Sequence, residues 1–304
     1  MKVLITPRSF GQNSKVPFEM LKENGWTIIK NPYGRILTEE EMEDLIADAD
    51  GVIIGVDPLN KSVLKAAKKL KVISKYGVGL DNVDLEYAKE KNIKVFNVKN
   101  GNSDAVADYA FALMLAVSRK VVLIDRECRK NNWKKIKSLE VCNKTIGIVG
   151  LGEIGKGMAN RAKGFNMTIL AYDVLKDEAY AKENDIQYVE LEQLIKESDY
   201  ITIHLPLLES TKNLFGYEAF EKMKERAVII NTARGGIIEE NALYDALTNE
   251  KIYGAGIDVF EEEPPRDKRF LELDNIVLGS HCAASSLEAI DNMSIRSVEN
   301  LFKI

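Results

Sequence analysis

Ten short runs rich in Val, Ile and Leu recur along the chain, at residues 2–6, 51–55, 72–75, 94–97, 145–149, 168–171, 200–204, 227–231, 253–258 and 275–278. Helical patterns lie between them, including 39–47 with Thr38 as its N-cap, 62–69, 103–119, 154–164 and 240–248. Near-continuous apolar strands that alternate with helices imply parallel sheets covered on both faces, an α/β fold. Ten strands in one open sheet would be unusual, so the pattern predicts two doubly wound, Rossmann-like or flavodoxin-like domains with a cleft between them. The strongest strand-turn-helix signature begins at Thr145, halfway along. Residues 1–98 are therefore expected to form one domain and 99–281 a second. The tail, 282–304, is about one helix long and is expected to pack back on the first domain, which makes the second an insertion.

Composition narrows the function classes. With 304 residues, 45% hydrophobic and 29% charged, this is an ordinary globular balance with room for a sizeable core. The net charge of −5 offers no positive field to draw nucleic acid or a membrane surface. The N-terminus enters a strand-like run at once, without a signal-peptide pattern, and the apolar stretch 105–117 is interrupted by Asp108 and too short to span a bilayer. Three cysteines without metal-ligand spacing fit a reducing cytoplasm better than a disulfide framework or a metal centre.

A cofactor site is written in the middle of the chain. Thr145-Ile-Gly-Ile-Val runs into Gly150-Leu151-Gly152-Glu153-Ile154-Gly155 and then a helical pattern. Gly150 permits the tight turn, Gly152 lets backbone approach a pyrophosphate, and Gly155 brings helix and strand close. The helix N-terminus adds N–H groups and a positive dipole end. Downstream, the strand Thr168-Ile-Leu-Ala-Tyr ends in Asp173, which can accept from ribose hydroxyls and repels a 2′-phosphate, favouring NAD over NADP. An Asp at a strand end can also simply cap a turn.

The sequence has two histidines, so imidazole chemistry falls to His204 or His281. His204 closes the run 200–204 before Leu205-Pro206 and is either a cofactor-wall residue or a proton donor. His281 follows an apolar strand and precedes small residues, Cys282-Ala283-Ala284. Arg234, in Asn231-Thr232-Ala233-Arg234-Gly235-Gly236, follows a strand at the end where α/β ligands bind, and its planar fork suits a carboxylate. A surface Arg before a Gly-Gly turn would look the same. Asp258 stands at another strand end, ahead of the acid run Glu261-Glu262-Glu263-Pro264.

Taken together, these segments resemble the D-isomer-specific 2-hydroxyacid dehydrogenase family, which includes phosphoglycerate dehydrogenase and the glyoxylate and hydroxypyruvate reductases. The likeness runs over nearly the whole chain, through Tyr76-Gly-Val78-Gly79-Leu-Asp-Asn82, the Gly150–Asp173 fingerprint, His204-Leu-Pro206, Asn231-Thr-Ala-Arg234-Gly235, Asp258-Val-Phe-Glu-Glu-Glu263-Pro264 and the strand leading to His281. The resemblance implies an NAD-dependent enzyme that interconverts a small D-2-hydroxy acid and its 2-keto acid by hydride transfer. It implies that His281 is the proton donor and acceptor, paired with Glu263, and that Arg234 binds the substrate carboxylate and polarises the reacting oxygen. Tyr76 and the amides of Val78 and Gly79 would bind substrate, and Asp258 would accept from the nicotinamide carboxamide. His204, Pro206, Thr211, Thr232 and Ala233 would line the dinucleotide cleft, and a homodimer would form through the nucleotide domain. The pattern 103–119, apolar on more than one face, is consistent with a two-fold partner.

Departures from the family pattern bear on substrate. Ser280 replaces the usual proline before the catalytic His, and Gly279 precedes it, which predicts a looser loop. Where phosphoglycerate dehydrogenases often carry Arg-Ser-x-Thr, this chain has Gly55-Val-Asp57-Pro58-Leu59-Asn60, with Asp where phosphate prefers a cation. Arg8 and Arg35 are the remaining candidates for a phosphate clamp. The end of the sequence at Ile304 leads to the expectation that this is not the longer, serine-regulated type with an appended regulatory domain. The expected substrate is an unphosphorylated acid of the glycerate or glyoxylate class, with 3-phosphoglycerate close behind. A second class stays open: a non-catalytic NAD-sensing interaction protein resembling the C-terminal-binding-protein corepressors on the same scaffold.

Overall fold

The computed structural model describes residues 1–265 and 268–304. The chain runs β1 (Lys2–Ile5), α1 (Val16–Glu23), β2 (Thr27–Lys30), α2 (Glu39–Ile46), β3 (Gly51–Ile54), α3 (Lys61–Ala66), β4 (Val72–Lys75), α4 (Leu85–Glu90) and β5 (Lys94–Asn97). Next come α5 (Ser103–Ser118), α6 (Val121–Arg129), β6 (Thr145–Val149), α7 (Glu153–Lys163), β7 (Thr168–Tyr172), α8 (Glu178–Glu183), β8 (Ile186–Tyr188), α9 (Leu191–Glu197) and β9 (Tyr200–Ile203). The remainder is α10 (Tyr217–Lys222), β10 (Val228–Asn231), α11 (Glu240–Thr248), β11 (Gly254–Ile257), β12 (Ile276–Leu278) and α12 (Leu287–Leu301). Two compact units result, Met1–Asn102 with Ser285–Ile304, and Ser103–Ala284.

The first unit is a five-stranded parallel sheet in the order β2-β1-β3-β4-β5. Strand alternation divides its apolar residues between two faces. Leu4, Val52, Ile54 and Ile73 pack with Met42, Ile46, Val63 and Leu64 on one side, while Val3, Ile5, Ile53 and Val72 pack with Leu21, Trp26, Val298 and Leu301 on the other. Each such fully buried side chain contributes about 1.5–3 kcal/mol relative to leaving it in water. Thr38 is the N-cap of α2, as its position in the sequence predicts, and the structure adds a capping box with Glu41.

The second unit is a seven-stranded, wholly parallel sheet ordered β12-β11-β10-β9-β6-β7-β8. The order reverses between β6 and β9, the place where open α/β sheets bind ligands at their strand ends. The long apolar α5 needs no partner to cover it. Ala107, Ala110, Phe111, Leu113, Met114 and Val117 are buried in the unit's own core, against Ile146, Ile148, Met158, Val228 and Ile230.

Two strands escape the sequence pattern, β2 and β8, each at a sheet edge. The boundaries between units also shift from 98/99 and 281/282. Residues 99–102 belong with the first unit, where Lys99 O accepts from Arg296 Nη1 at 2.8 Å and Gly101 packs against Val98 and Met293. Residues 282–284 belong with the second, because Cys282 and Ala283 donate their backbone N–H groups to Asp258. Among the described residues no helix is long and apolar enough to cross a membrane.

Candidate active site

In the second unit, β6 feeds the glycine turn. Gly150 has φ +99°, and a Cβ there would stand 2.7 Å from His204 O; a Cβ on Gly155 would overlap Gly150 O. Gly152 is the N-cap of α7 and has open space where a side chain would be, so the first turn of the helix presents backbone N–H groups outward. At the end of β7, Asp173 Oδ2 accepts from Leu151 N at 2.7 Å and Oδ1 from Leu175 N at 2.9 Å. The acid thus both caps its own turn and is stitched to the glycine turn. A carboxylate accepts about four hydrogen bonds, so room for hydroxyl donors remains. Val174 and Leu175 beside it are exposed apolar side chains, suited to the flat face of a base.

The ends of β9 and β10 complete the cradle. His204 N donates to Val149 O at 2.8 Å, and its Nε2 lies 2.9 Å from Thr202 Oγ1. Burial of this ring lowers its pKa to about 3, so it is neutral at pH 7 and unsuited to donating a proton. Thr211 Oγ1 donates to Pro206 O and accepts from Leu208 N, both at 2.7 Å, so it closes that loop on itself. Asn231 frames the next turn, accepting from Ala233 N at 3.0 Å and donating to Arg234 O at 2.9 Å. Thr232 Oγ1 is buried with no partner among the described residues. Leaving a hydroxyl so costs about 1–3 kcal/mol, which a bound donor or acceptor would offset. With the open Gly152 and the placed Asp173, this orphaned atom fits a dinucleotide.

His281 and Glu263 form the chemical pair. His281 Nδ1 lies 2.8 Å from Glu263 Oε2, and Oε1 of the same carboxylate accepts from Phe260 N at 3.2 Å. The imidazole keeps 42% of its side-chain surface exposed. His281 adopts φ +55°, a conformation rare for residues other than glycine. Asp258 holds it there. Its backbone O accepts from His281 N at 2.8 Å, Oδ1 from Cys282 N at 3.1 Å, and Oδ2 from Ala283 N at 2.9 Å.

This geometry corrects the expectation of a loose loop. Three consecutive N–H groups converge on one buried aspartate, and Gly279 N donates to Ile257 O at 2.7 Å just before them. Asp258 serves here as a loop clamp, a role that sequence spacing did not reveal. Tyr109 from α5 was also not singled out by sequence; it interacts with Cys282, and burial pushes its phenol up. Arg234 is partly buried, with Nη1 donating to Ala233 O at 2.7 Å.

Tyr76, Val78 and Gly79 lie in the first unit. Tyr76 turns its hydroxyl to α12, 3.1 Å from Ile290 O and 3.2 Å from Ser294 Oγ, which makes it an anchor for its loop. Val78 O accepts from Asn97 Nδ2 at 2.8 Å and Gly77 O from Val98 N at 2.9 Å. The N–H groups of Val78 and Gly79 have no partner among the described residues. Neither Asp57 nor Arg35 is arranged for phosphate. Asp57 is buried, accepting from Thr6 Oγ1 at 2.5 Å and Leu37 N at 2.9 Å, and Arg35 is bidentate to Glu41 at 2.6 and 2.8 Å.

A doubly wound sheet with a glycine turn and acid at its switch point, in one unit with an imidazole–carboxylate pair, defines a dinucleotide-dependent oxidoreductase. Residues 111–283 match the family described as D-isomer specific 2-hydroxyacid dehydrogenase, NAD binding domain. The chain is 41% identical over 273 residues to a hydroxypyruvate reductase of Thermotoga maritima, covering 88% of each chain. It is 41% identical over 257 residues to a D-3-phosphoglycerate dehydrogenase of Methanocaldococcus jannaschii, covering 83% of this chain and 49% of that one. A D-lactate dehydrogenase from Aquifex aeolicus, solved with NAD and lactic acid, superimposes with a TM-score of 0.86 at 31% identity, covering 99% and 94% of the two chains. The chain belongs to the D-isomer specific 2-hydroxyacid dehydrogenase family. It is an NAD-dependent dehydrogenase acting on CH–OH donors.

Proposed function

We propose that this enzyme reduces a small, unphosphorylated 2-keto acid of the glyoxylate or hydroxypyruvate class to its D-2-hydroxy acid, with His281 as the proton donor. The observation that carries this reading is the 2.8 Å contact between His281 Nδ1 and Glu263 Oε2. A carboxylate only accepts, so Nδ1–H donates to it and Nε2 is left to hold or release the mobile proton. Phe260 N fixes the other carboxylate oxygen, so Glu263 orients the ring as well as balancing its charge. NAD supplies the hydride chemistry when bound. Thr232, Asp173 and the turn 150–155 hold it, with His204, Pro206, Thr211 and Ala233 as its wall.

Arg234 clamps the substrate carboxylate and stabilises charge on the reacting oxygen. In the first unit, the N–H groups of Val78 and Gly79 are the donors suited to a substrate carboxylate. Engagement of Arg35 by Glu41 and the carboxylate of Asp57 in the loop after β3 favour an unphosphorylated acid over 3-phosphoglycerate, with Arg8 left as a candidate phosphate ligand. A homodimer is also proposed, on the surface of α6 and the segment after it, where Val121, Val122 and the 77%-exposed Trp133 are uncovered by the chain itself. Light scattering of the pure protein tests that point, a monomer mass opposing it.

The test of function is NADH oxidation with glyoxylate, hydroxypyruvate, phosphohydroxypyruvate and pyruvate. Highest kcat/KM for glyoxylate or hydroxypyruvate is expected. A preference for phosphohydroxypyruvate overturns the substrate assignment. Silence across the panel with NADH still bound overturns the catalytic reading in favour of a nucleotide sensor.

A further inference from the structure

Lys75, the last residue of β4, is 7% exposed. Its ammonium donates to Gly55 O and to Asn82 Oδ1, both at 2.6 Å. The Asn82 amide in turn donates to Gly55 O at 3.1 Å and Asp57 O at 2.5 Å, and Asn82 O accepts from Leu59 N at 2.9 Å. The loop that carries Val78 and Gly79 therefore begins at Lys75 and ends at Asn82 on one polar knot, against the loop that follows β3. Between those ends, Tyr76 N donates to Ile54 O at 2.8 Å, while Asn97 and Val98 tie back the carbonyls of Val78 and Gly77. These tethers hold carbonyls or ends of the loop, and the N–H groups of Val78 and Gly79 in its middle have no partner among the described residues.

A buried ammonium is a costly way to fill space. Burying it carries a desolvation penalty, and a hydrocarbon of similar volume often packs as well or better. What an ammonium offers is three donors on one small atom and no acceptor, so it can gather oxygens from two loops. We propose that Lys75 is a positioning residue for substrate binding: it knots the loops after β3 and β4 and so sets the Val78 and Gly79 N–H groups to receive the carboxylate. This rests on the reading that those N–H groups bind the carboxylate. Lys75 itself does not touch substrate. A misplacement of the loop by about 1 Å is enough to cost large factors in a positioned interaction.

The test uses the full-length enzyme and the variants Lys75→Met, Asn82→Ala and Val78→Pro. Hydrogen exchange over residues 76–83 is measured without substrate. KM and kcat are measured for glyoxylate and hydroxypyruvate, and the NADH Kd by fluorescence. Lys75→Met is expected to speed exchange in that segment and raise KM about tenfold or more, leaving kcat within about threefold and the NADH Kd unchanged. Asn82→Ala, which loosens the knot from its other side, is expected to act in the same direction, and it serves alone if Lys75→Met does not fold. Unchanged KM in the folded variants overturns the proposal. Raised KM with unchanged exchange also overturns it, since Lys75 would then act on substrate directly. Val78→Pro removes one N–H group and tests the underlying reading separately. If it leaves KM unchanged, the carboxylate assignment fails, whatever the exchange of the Lys75 variant shows.

Discussion

Gly279 crosses the carboxylate of Asp258 so closely that a Cβ on residue 279 would overlap Oδ1, and it would stand 2.9 Å from Tyr109 Oη. The crossing allows the next residues to fold back and donate three N–H groups to Asp258, which delivers His281 to Glu263. Gly279→Ala should push the loop off its clamp. We expect a loss of about 1–3 kcal/mol in stability and a fall in kcat of about tenfold or more. Thermal unfolding and steady-state kinetics check both; a variant that matches the parent in both respects would show that the loop can shift at no cost.

Removal of the proposed proton donor should separate chemistry from binding. His281→Ala is expected to lower kcat by about 100-fold or more while NADH affinity stays within a few-fold, the pattern of a lost general acid. Normal turnover in this variant would end the assignment.

Arg234→Lys retains the charge and loses the fork. Because an ammonium cannot make two parallel bonds to a carboxylate, KM for the keto acid should rise by roughly tenfold or more, with little change in NADH binding. Titration of glyoxylate and hydroxypyruvate in steady state reads this directly, and parental kinetics would remove Arg234 from substrate recognition.

Asp173→Ala should change two properties at once. Loss of the acid that repels a 2′-phosphate should erode the preference for NADH over NADPH by about tenfold or more. Loss of the acceptor for Leu151 N and Leu175 N should also lower the melting temperature. An unaltered cofactor ratio in a destabilised variant would mean that Asp173 is only a turn cap.

His204 gives the protein an acid sensitivity of defined sign. An imidazole normally titrates near 6.5, and burial lowers this one to about 3. Between those values the unfolded chain binds a proton that the folded chain refuses, so stability falls as pH drops from about 6.5 toward 3 and the ring adds no further loss below that. His204→Asn should flatten melting temperature against pH across that window. Parallel curves for parent and variant would contradict the neutral, buried assignment.

The sequence was most legible where one residue type carries a strong local constraint. Glycines 150, 152 and 155, the acid after β7 and the N-cap Thr38 follow from local rules, and each is where it is expected. Edge strands were the least legible. In β2 only Ile28 and Ile29 are apolar, and β8 is the three residues Ile186-Gln187-Tyr188, so neither shows the long apolar run of a central strand. Contacts distant in sequence were invisible as well. Nothing near Asp258 announces that residues 281–283 donate to it, and nothing near Lys75 announces Gly55. Arg35, a candidate phosphate ligand in the sequence, is bound by Glu41, six residues on.

Completion of the first unit by α12 has a consequence for synthesis. Val298 and Leu301 share a core with Val3, Ile5, Leu21 and Trp26, so one face of the first sheet stays incompletely covered until α12, which follows the whole second unit in the chain, has been made. Residues 103–284 are contiguous and can fold as soon as they emerge. The first unit, whose five strands all precede the second unit in the chain, is thus completed only after the second unit has been made.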